Sequence, residues 1–462
     1  MIRKRLKISS TKDEALDNLL QEMRSWLVES KKRHSFTKWK GIHDEGTYLT
    51  SWREYYLLTQ DENVRDYAFE RFDACKKWAR RHFRRGYWKK QEVHHGVEHF
   101  IIYLSWLLEV DPKHSEVMYQ LKNAANHIVE KQKKKTPWYD NKNKRFRSVF
   151  LGCKRSGSEY LNVVEHLRLV RLGWLGYKSG GNTALRDFII EYSTEWANEI
   201  LDNEKIPLFL EKKGKETGMF SKLFEKLYKT FVGAAPKSES DRARSEIHIA
   251  NGSPALFIQL YKITKNIKFL DAAEKILKPL LSQLTYPYAH PLADLLYGMY
   301  KFNRFSSLPK IISKINYEKI YDDLNEGYLE FHPKVNWNQP KYSWLRDCVG
   351  MRADMAEVIL YNHEKKKLKK IPSPATFNLI YRLNKNEICR LIATEISKKV
   401  LECAREIHPD GRHHGCGSRT VSAYCVGHGR NWSAGYVSTA LRGHLQHSLD
   451  GLPLPDINLN PK

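Results

Sequence analysis

The sequence predicts an all-α protein in which six or seven helical hairpins close into an (α/α) toroid of inner and outer helices. Three observations carry this. Apolar residues recur at helical spacing along the chain, and strand signals are weak. The helices come in pairs, the first apolar on nearly every side and the second amphipathic; an all-apolar helix has to be buried all round, which a ring of outer helices provides. Most pairs also open on a polar stretch rich in His, Asp, Glu or Asn. Their spacing is irregular, unlike the fixed ~34–45-residue period of common helical solenoids. An open α-solenoid is the alternative arrangement. Residues 1–462 read as one toroid domain, with an insertion at 203–245 and a site-facing loop at 408–430.

The elements follow in order. Leu16, Leu19, Leu20, Met23, Trp26 and Leu27 predict a helix over 13–30. His43-Asp44-Glu45-Gly46 opens a second over 47–58, and Thr59-Gln60-Asp61-Glu62 turns into a third over 63–83. Glu92 to Phe100 forms a histidine-rich mouth ahead of the apolar run Ile101–Leu108, giving a helix over 94–109 that breaks at Asp111-Pro112. An amphipathic partner follows over 113–131, then a basic loop over 133–157. Helices are expected over 159–177 and 183–201, joined by Gly180-Gly181-Asn182. The insertion carries one short helix, at about 219–231. Pairs then follow at 253–264 with 267–284, and at 291–302 with 308–321. Tyr342–Tyr361 is the next inner candidate, with 385–406 as its partner, and Asn431–Gly435 opens a last helix to Gln446.

The net charge is +25. A balance so basic points to an anionic partner: acidic polysaccharide, nucleic acid or an anionic membrane face. Solvated lysine-rich faces are the plain alternative. Seven scattered cysteines without a CxxC argue against a disulfide framework. No run of about 18 apolar residues occurs, so no membrane span is expected. Residues 1–18 lack the apolar core of a signal peptide, so the expectation is a cytoplasmic protein, or a secreted or periplasmic one from which a leader was removed.

The segments HDEGTYLTSWREYYLLTQDENVRDYAFERF and NGSPALFIQLYKITKNIKFLDAAEKIL resemble the repeat hairpins of (α/α)-toroid carbohydrate-active proteins. These include the unsaturated glucuronyl hydrolases and several uronate polysaccharide lyases. The resemblance lies in the inner helix, a Leu-Thr-x-Asp-like turn and an outer helix. It implies glycan binding in the central cleft. For the glucuronyl hydrolases it also implies a catalytic Asp at the start of an inner helix, the position Asp44 resembles.

In a toroid, polar residues at the starts of inner helices converge on one mouth. For β-elimination on a uronate, the sugar carboxylate must be neutralised, a proton taken and a leaving oxygen protonated. His95, Tyr160, His166, His248, Asn251, Arg346 and Arg352 are the residues of the required kinds. Asp44, His94, Glu98, His99, Asn162, Glu165 and Asp347 line the same openings, and Arg412, His413, His414 and Tyr424 add contacts from the loop. Glycoside or vinyl-ether hydrolysis needs carboxylates instead, which Asp44, Glu98, Glu165, Asp294 and Asp347 offer. Elimination requires no cofactor, although a divalent cation can serve as the neutralising charge. His95 and His99 at i, i+4 are a possible metal pair without an HExxH order, and Cys416, Cys425 and His428 match no zinc spacing. Glu159, Asn162 and His166 are expected on one helix face, suited to gripping a polar ligand. The readings are thus a lyase on acidic polysaccharide, a hydrolase on acidic oligosaccharide, and a non-catalytic helical-repeat protein binding nucleic acid.

Overall fold

The computed structural model describes residues 2–5, 11–33, 39, 44–84, 87–88, 93–130, 137–149, 151, 161–210, 240–285, 292–332, 357–361, 368–407 and 436–445. Within these it is mainly helical. The N-terminal half contains α1 (Lys12–Arg33), α2 (Asp44–Thr50), α3 (Arg53–Thr59), α4 (Glu62–His82), the short α5 (Val93–Gly96), a π-helical turn (His99–Leu104), α6 (Ser105–Val110), α7 (Ser115–Val129), α8 (Leu167–Lys178) and α9 (Ala184–Asp202). The remainder contains α10 (Asp241–Ala250), α11 (Ser253–Thr264), α12 (Ile267–Leu277), α13 (Leu292–Tyr300), α14 (Leu308–Ile312), α15 (Tyr317–Glu326), α16 (Pro374–Asn384), α17 (Glu387–Ile407) and α18 (Tyr436–His444). No helix among the described residues is long and apolar enough to cross a membrane.

Three hairpins, α3–α4, α11–α12 and α16–α17, are built on one turn. Its pattern is Tyr-x-(Leu/Ile)-(Thr/Asn)-(Gln/Lys)-(Asp/Asn), at Tyr56–Asp61, Tyr261–Asn266 and Tyr381–Asn386. Gln60, Lys265 and Lys385 take left-handed backbone, φ 53°, 59° and 61°. That bend lets their N–H groups close the first helix on the carbonyls of Tyr56, Tyr261 and Tyr381. The Asp or Asn that follows begins the second helix. Asp61, Asn266 and Asn386 accept from the backbone N–H two residues on. Thr59, Thr264 and Asn384 in turn accept from the backbone N–H of those three residues. The Leu-Thr-x-Asp-like turn of the sequence is therefore a physical device for closing one helix and starting the next.

Helix neighbours run in chain order and then meet. α7 packs on α8, α8 on α9, α9 on α12, and α12 on α11. α11 touches α13, α13 touches α16, and α16 packs on both α17 and α18. α18 then contacts α3, and α17 contacts α1, bringing the first helices against the last. The helices of one set are buried nearly throughout: every residue of α8 from Leu167 to Gly176 except Arg171 is buried, as is α11 from Ser253 to Leu260. The second set buries one stripe, such as Val64, Ala68, Phe72, Cys75 and Ala79 of α4. Close approach is built in at Gly176, where an added Cβ would overlap that of Ala125 on α7.

Several sequence expectations need correction. The hairpin partner of α17 is α16, not 342–361; of the latter the described part, Glu357–Tyr361, is a strand. With Ile2–Arg5 (β1), Tyr328–His332 (β8) and Leu368–Lys370 (β10) this strand (β9) makes an antiparallel sheet in the order β1-β8-β9-β10. Two-residue strands fill the gaps in numbering: β2 (Phe83–Arg84) with β3 (Tyr87–Trp88), β4 (Tyr139–Asp140) with β5 (Arg145–Phe146), and β6 (Asn162–Val163) with β7 (Phe209–Leu210). The basic loop thus holds a small hairpin. The region 203–245 contributes β7 and the start of α10, and its expected helix at 219–231 lies outside the described residues. The single helix expected over 94–109 is divided into α5, a turn at Val97, the π-helical turn and α6.

Candidate functional site

Three polar residues, on different elements, meet in one fully buried cluster. Glu98 caps the π-helical turn, Arg168 is the second residue of α8, and Asn251 sits between α10 and α11. Arg168 Nη1 donates to Glu98 Oε1 at 3.2 Å, and Arg168 Nε donates to Asn251 Oδ1 at 2.6 Å. Asn251 Nδ2 donates to the Ile247 carbonyl at 2.9 Å, which fixes the amide. Glu98 and Arg168 are each 1% exposed and Asn251 4%. A charge at this depth is tolerated because its counter-charge and its hydrogen bonds are supplied together. Glu98 and Asn251 were expected at the mouth. Arg168 was not, although its signal is visible: Arg168 and Arg171 are the two charges in the otherwise apolar stretch Leu167–Leu175, one turn apart.

A second ionic layer lies alongside. Arg53, the first residue of α3, places Nε and Nη2 on the two carboxylate oxygens of Glu109 at 2.6 and 3.0 Å, and its Nη1 on Glu54 at 3.2 Å. Burial, reinforced by the neighbouring Arg53 and Arg168 and opposed by Glu109, lowers Arg171 to about 10. Further round the helices, Asp294 of α13 accepts from Arg382 of α16 at 2.6 Å and pairs with Arg442 of α18 at 3.2 Å.

Three of the described histidines, His99, His166 and His248, are built into the frame. His99 is 0% exposed, its Nε2 lying 3.4 Å from Gln120 Oε1 and its Nδ1 3.8 Å from Cys75 Sγ, among Phe83 and Phe100. His166 Nδ1 accepts from the Val163 N–H at 3.0 Å, and Nε2 lies 3.3 Å from the Ser148 carbonyl. His248 Nε2 lies 2.7 Å from the Pro207 carbonyl and Nδ1 3.2 Å from Ser253 Oγ. A carbonyl oxygen accepts, so Nε2 carries a proton in each case. Burial pushes all three down to about 4, offset in part by these same hydrogen bonds.

Asn162 lies in β6, not on a helix with His166, so the expected shared face of Glu159, Asn162 and His166 does not form. Its side chain instead extends the sheet pattern, accepting from the Phe146 N–H at 2.8 Å and donating to the Phe146 carbonyl at 3.0 Å. Tyr192 donates to the same Oδ1 at 2.9 Å. Glu165 is buried in the single turn before α8. His95 and His99 are separated by the turn at Val97, and the ring of His99 faces Gln120 and Cys75. Asp44 opens α2, and His94 and His95 lie in α5, but their side chains are outside the described residues. Tyr160, Arg346, Asp347, Arg352, Arg412, His413, His414 and Tyr424 also lie outside them, as do Glu159, Cys416, Cys425 and His428.

Compared with protein-family models, curated proteins and solved structures, the chain matches none. Functional assignment therefore rests on the geometry. The described cluster is a buried guanidinium that joins the π-helical turn, the start of α8 and the α10–α11 junction.

Proposed function

We propose that the helical hairpins close into an (α/α) toroid whose mouth binds an acidic, uronate-containing polysaccharide and cleaves it by β-elimination. The contacts of α18 with α3 and of α17 with α1 support closure. The observation that carries the reading is the Glu98–Arg168–Asn251 cluster. It ties the π-helical turn, α8 and the α10–α11 junction together, and α5, which carries His94 and His95, contacts α8. With both ring nitrogens engaged and pKa values near 4, His166 and His248 belong to the frame rather than to proton transfer. Asn251 is likewise committed to Arg168. His95 and Tyr160 are then the acid and base: one takes the proton α to the uronate carboxylate, the other protonates the leaving oxygen. Arg346 and Arg352 neutralise that carboxylate as negative charge builds beside it.

A second reading, hydrolysis of unsaturated acidic oligosaccharides, is favoured by one observation: Asp44 is the first residue of α2. One assay separates the two. Elimination creates a conjugated double bond absorbing near about 232 nm, whereas hydrolysis of an unsaturated oligosaccharide destroys it. A rise with a uronate polymer, lost in His95→Ala and kept in a variant remote from the mouth such as Lys310→Ala, supports the lyase. A fall with unsaturated oligosaccharides, lost in Asp44→Asn, supports the hydrolase. No change with either substrate class overturns both.

A further inference from the structure

Arg382 sits where an arginine has little reason to be unless something fills its edge. It lies in the last turn of α16, its side chain 1% exposed. Tyr297 of α13 covers the face of its guanidinium, 5.4 Å from the ring centroid. Nη1 donates to Asp294 Oδ1 at 2.6 Å. The opposite edge, formed by Nε and Nη2, is buried and meets no acceptor among the described residues. These two N–H groups are parallel. They are the side-on fork that grips two oxygens of one carboxylate or phosphate. Arg53 uses the same edge in this protein, holding both oxygens of Glu109. A buried donor that meets nothing is costly, and a charged one more so, which is why native interiors rarely keep one. Asp294 cannot be drawn across to fill the fork, because its second oxygen pairs with Arg442 of α18 at 3.2 Å.

We propose that the Nε/Nη2 edge of Arg382, backed by Asp294, Tyr297 and Arg442, is a binding site for a small bidentate oxyanion. The shared chemistry is two coplanar oxygens carrying one negative charge, as in a sugar acid or a phosphate. The site is separate from the Glu98–Arg168–Asn251 cluster, lying between α13, α16 and α18. It stands whether or not the protein turns over a glycan.

The test is a thermal-shift and calorimetric titration of the full chain with glucuronate, inorganic phosphate, neutral glucose and chloride at matched ionic strength. A saturable rise in Tm, about 3 °C at a hundredfold excess over Kd, is expected with an oxyanion and not with glucose or chloride. Response to glucuronate alone names a sugar acid as the source; response to phosphate alone names phosphate; response to both shows that the fork reads the oxyanion itself. Arg382→Lys keeps the charge but loses the fork, and should weaken binding by about tenfold or more. Asp294→Asn removes a competing negative charge and should tighten it by a similar factor, so a variant of opposite sign is at hand if Arg382→Lys does not fold. Absence of saturable binding to wild type overturns the proposal. So does binding that is unchanged in both variants.

Discussion

Removing Glu98 tests the buried cluster most directly. Glu98→Ala leaves Arg168 with its Asn251 contact but without the carboxylate 3.2 Å from Nη1, in a place from which water is excluded. Breaking one side of a buried pair costs about 3–5 kcal/mol, because the surviving charge stays desolvated. Glu98→Gln keeps an oxygen acceptor and loses only the charge, so about 1.5–3 kcal/mol is expected. The double variant Glu98→Leu with Arg168→Met removes both charges but also takes the donor from Asn251 Oδ1, so it should recover only part of the loss. For a chain of 462 residues the unfolding entropy is about 1 kcal/mol per degree, so Glu98→Ala should lower Tm by about 3–5 °C. Circular dichroism at equilibrium in denaturant, together with calorimetry, measures all three. Glu98→Ala within about 0.5 kcal/mol of wild type, or a double variant worse than the sum of its singles, would refute the pairing.

Three other outcomes follow from the described geometry. His99, His166 and His248 titrate near 4 in the folded chain against about 6.5 when unfolded, so the unfolded state takes up protons first as pH falls. Their stability contribution is complete above pH ~6.5 and lost towards pH ~4; a Tm that is flat over that window contradicts their burial as neutral rings. Lys265 holds a left-handed backbone, so Lys265→Gly should raise stability by up to about 1 kcal/mol, whereas Asn266→Ala removes the α12 cap and should cost about 1 kcal/mol, both read from denaturation midpoints. Gly176→Ala forces α7 and α8 apart at Ala125 and should cost about 1–3 kcal/mol; an unchanged midpoint would mean the helices are not in that contact.

Helix positions were legible because burial writes a period into the chain. The apolar run of α11 was bounded correctly at 253–264, and α7, α9 and α17 within two residues. The miss at α16 has a physical cause. Pro374-Ala-Thr-Phe-Asn-Leu-Ile-Tyr-Arg-Leu-Asn interrupts its apolar positions with Asn378 and Arg382, whose burial depends on partners on α18 and α13. The polar turn Tyr381–Asn386 would have revealed it, by analogy with Tyr56–Asp61 and Tyr261–Asn266. The site was legible in residue type but not in role. Histidines at helix starts suggest chemistry, yet His166 and His248 serve the backbone carbonyls of Ser148 and Pro207, contacts 18 and 41 residues away that no local pattern encodes. Arg168 stands out in its apolar run, but its partner does not: Glu98, which supplies the counter-charge, lies 70 residues earlier.

The meeting of the first and last helices sets the order in which the molecule can be completed. Arg405 of α17 binds Glu22 and Glu29 of α1, at sequence separations of 383 and 376 residues. α3 likewise waits for α18. A growing chain emerging from the ribosome can set Trp26 of α1 against Trp52 early, but it lacks α17, on which α1 packs, until nearly all of the sequence has been made. Contacts of such long range are slow to form and leave sticky intermediates. Synthesis in a host short of folding helpers should accordingly yield aggregates seeded by the amino-terminal helix, and supplying the α17–α18 segment as a separate polypeptide during translation should reduce them.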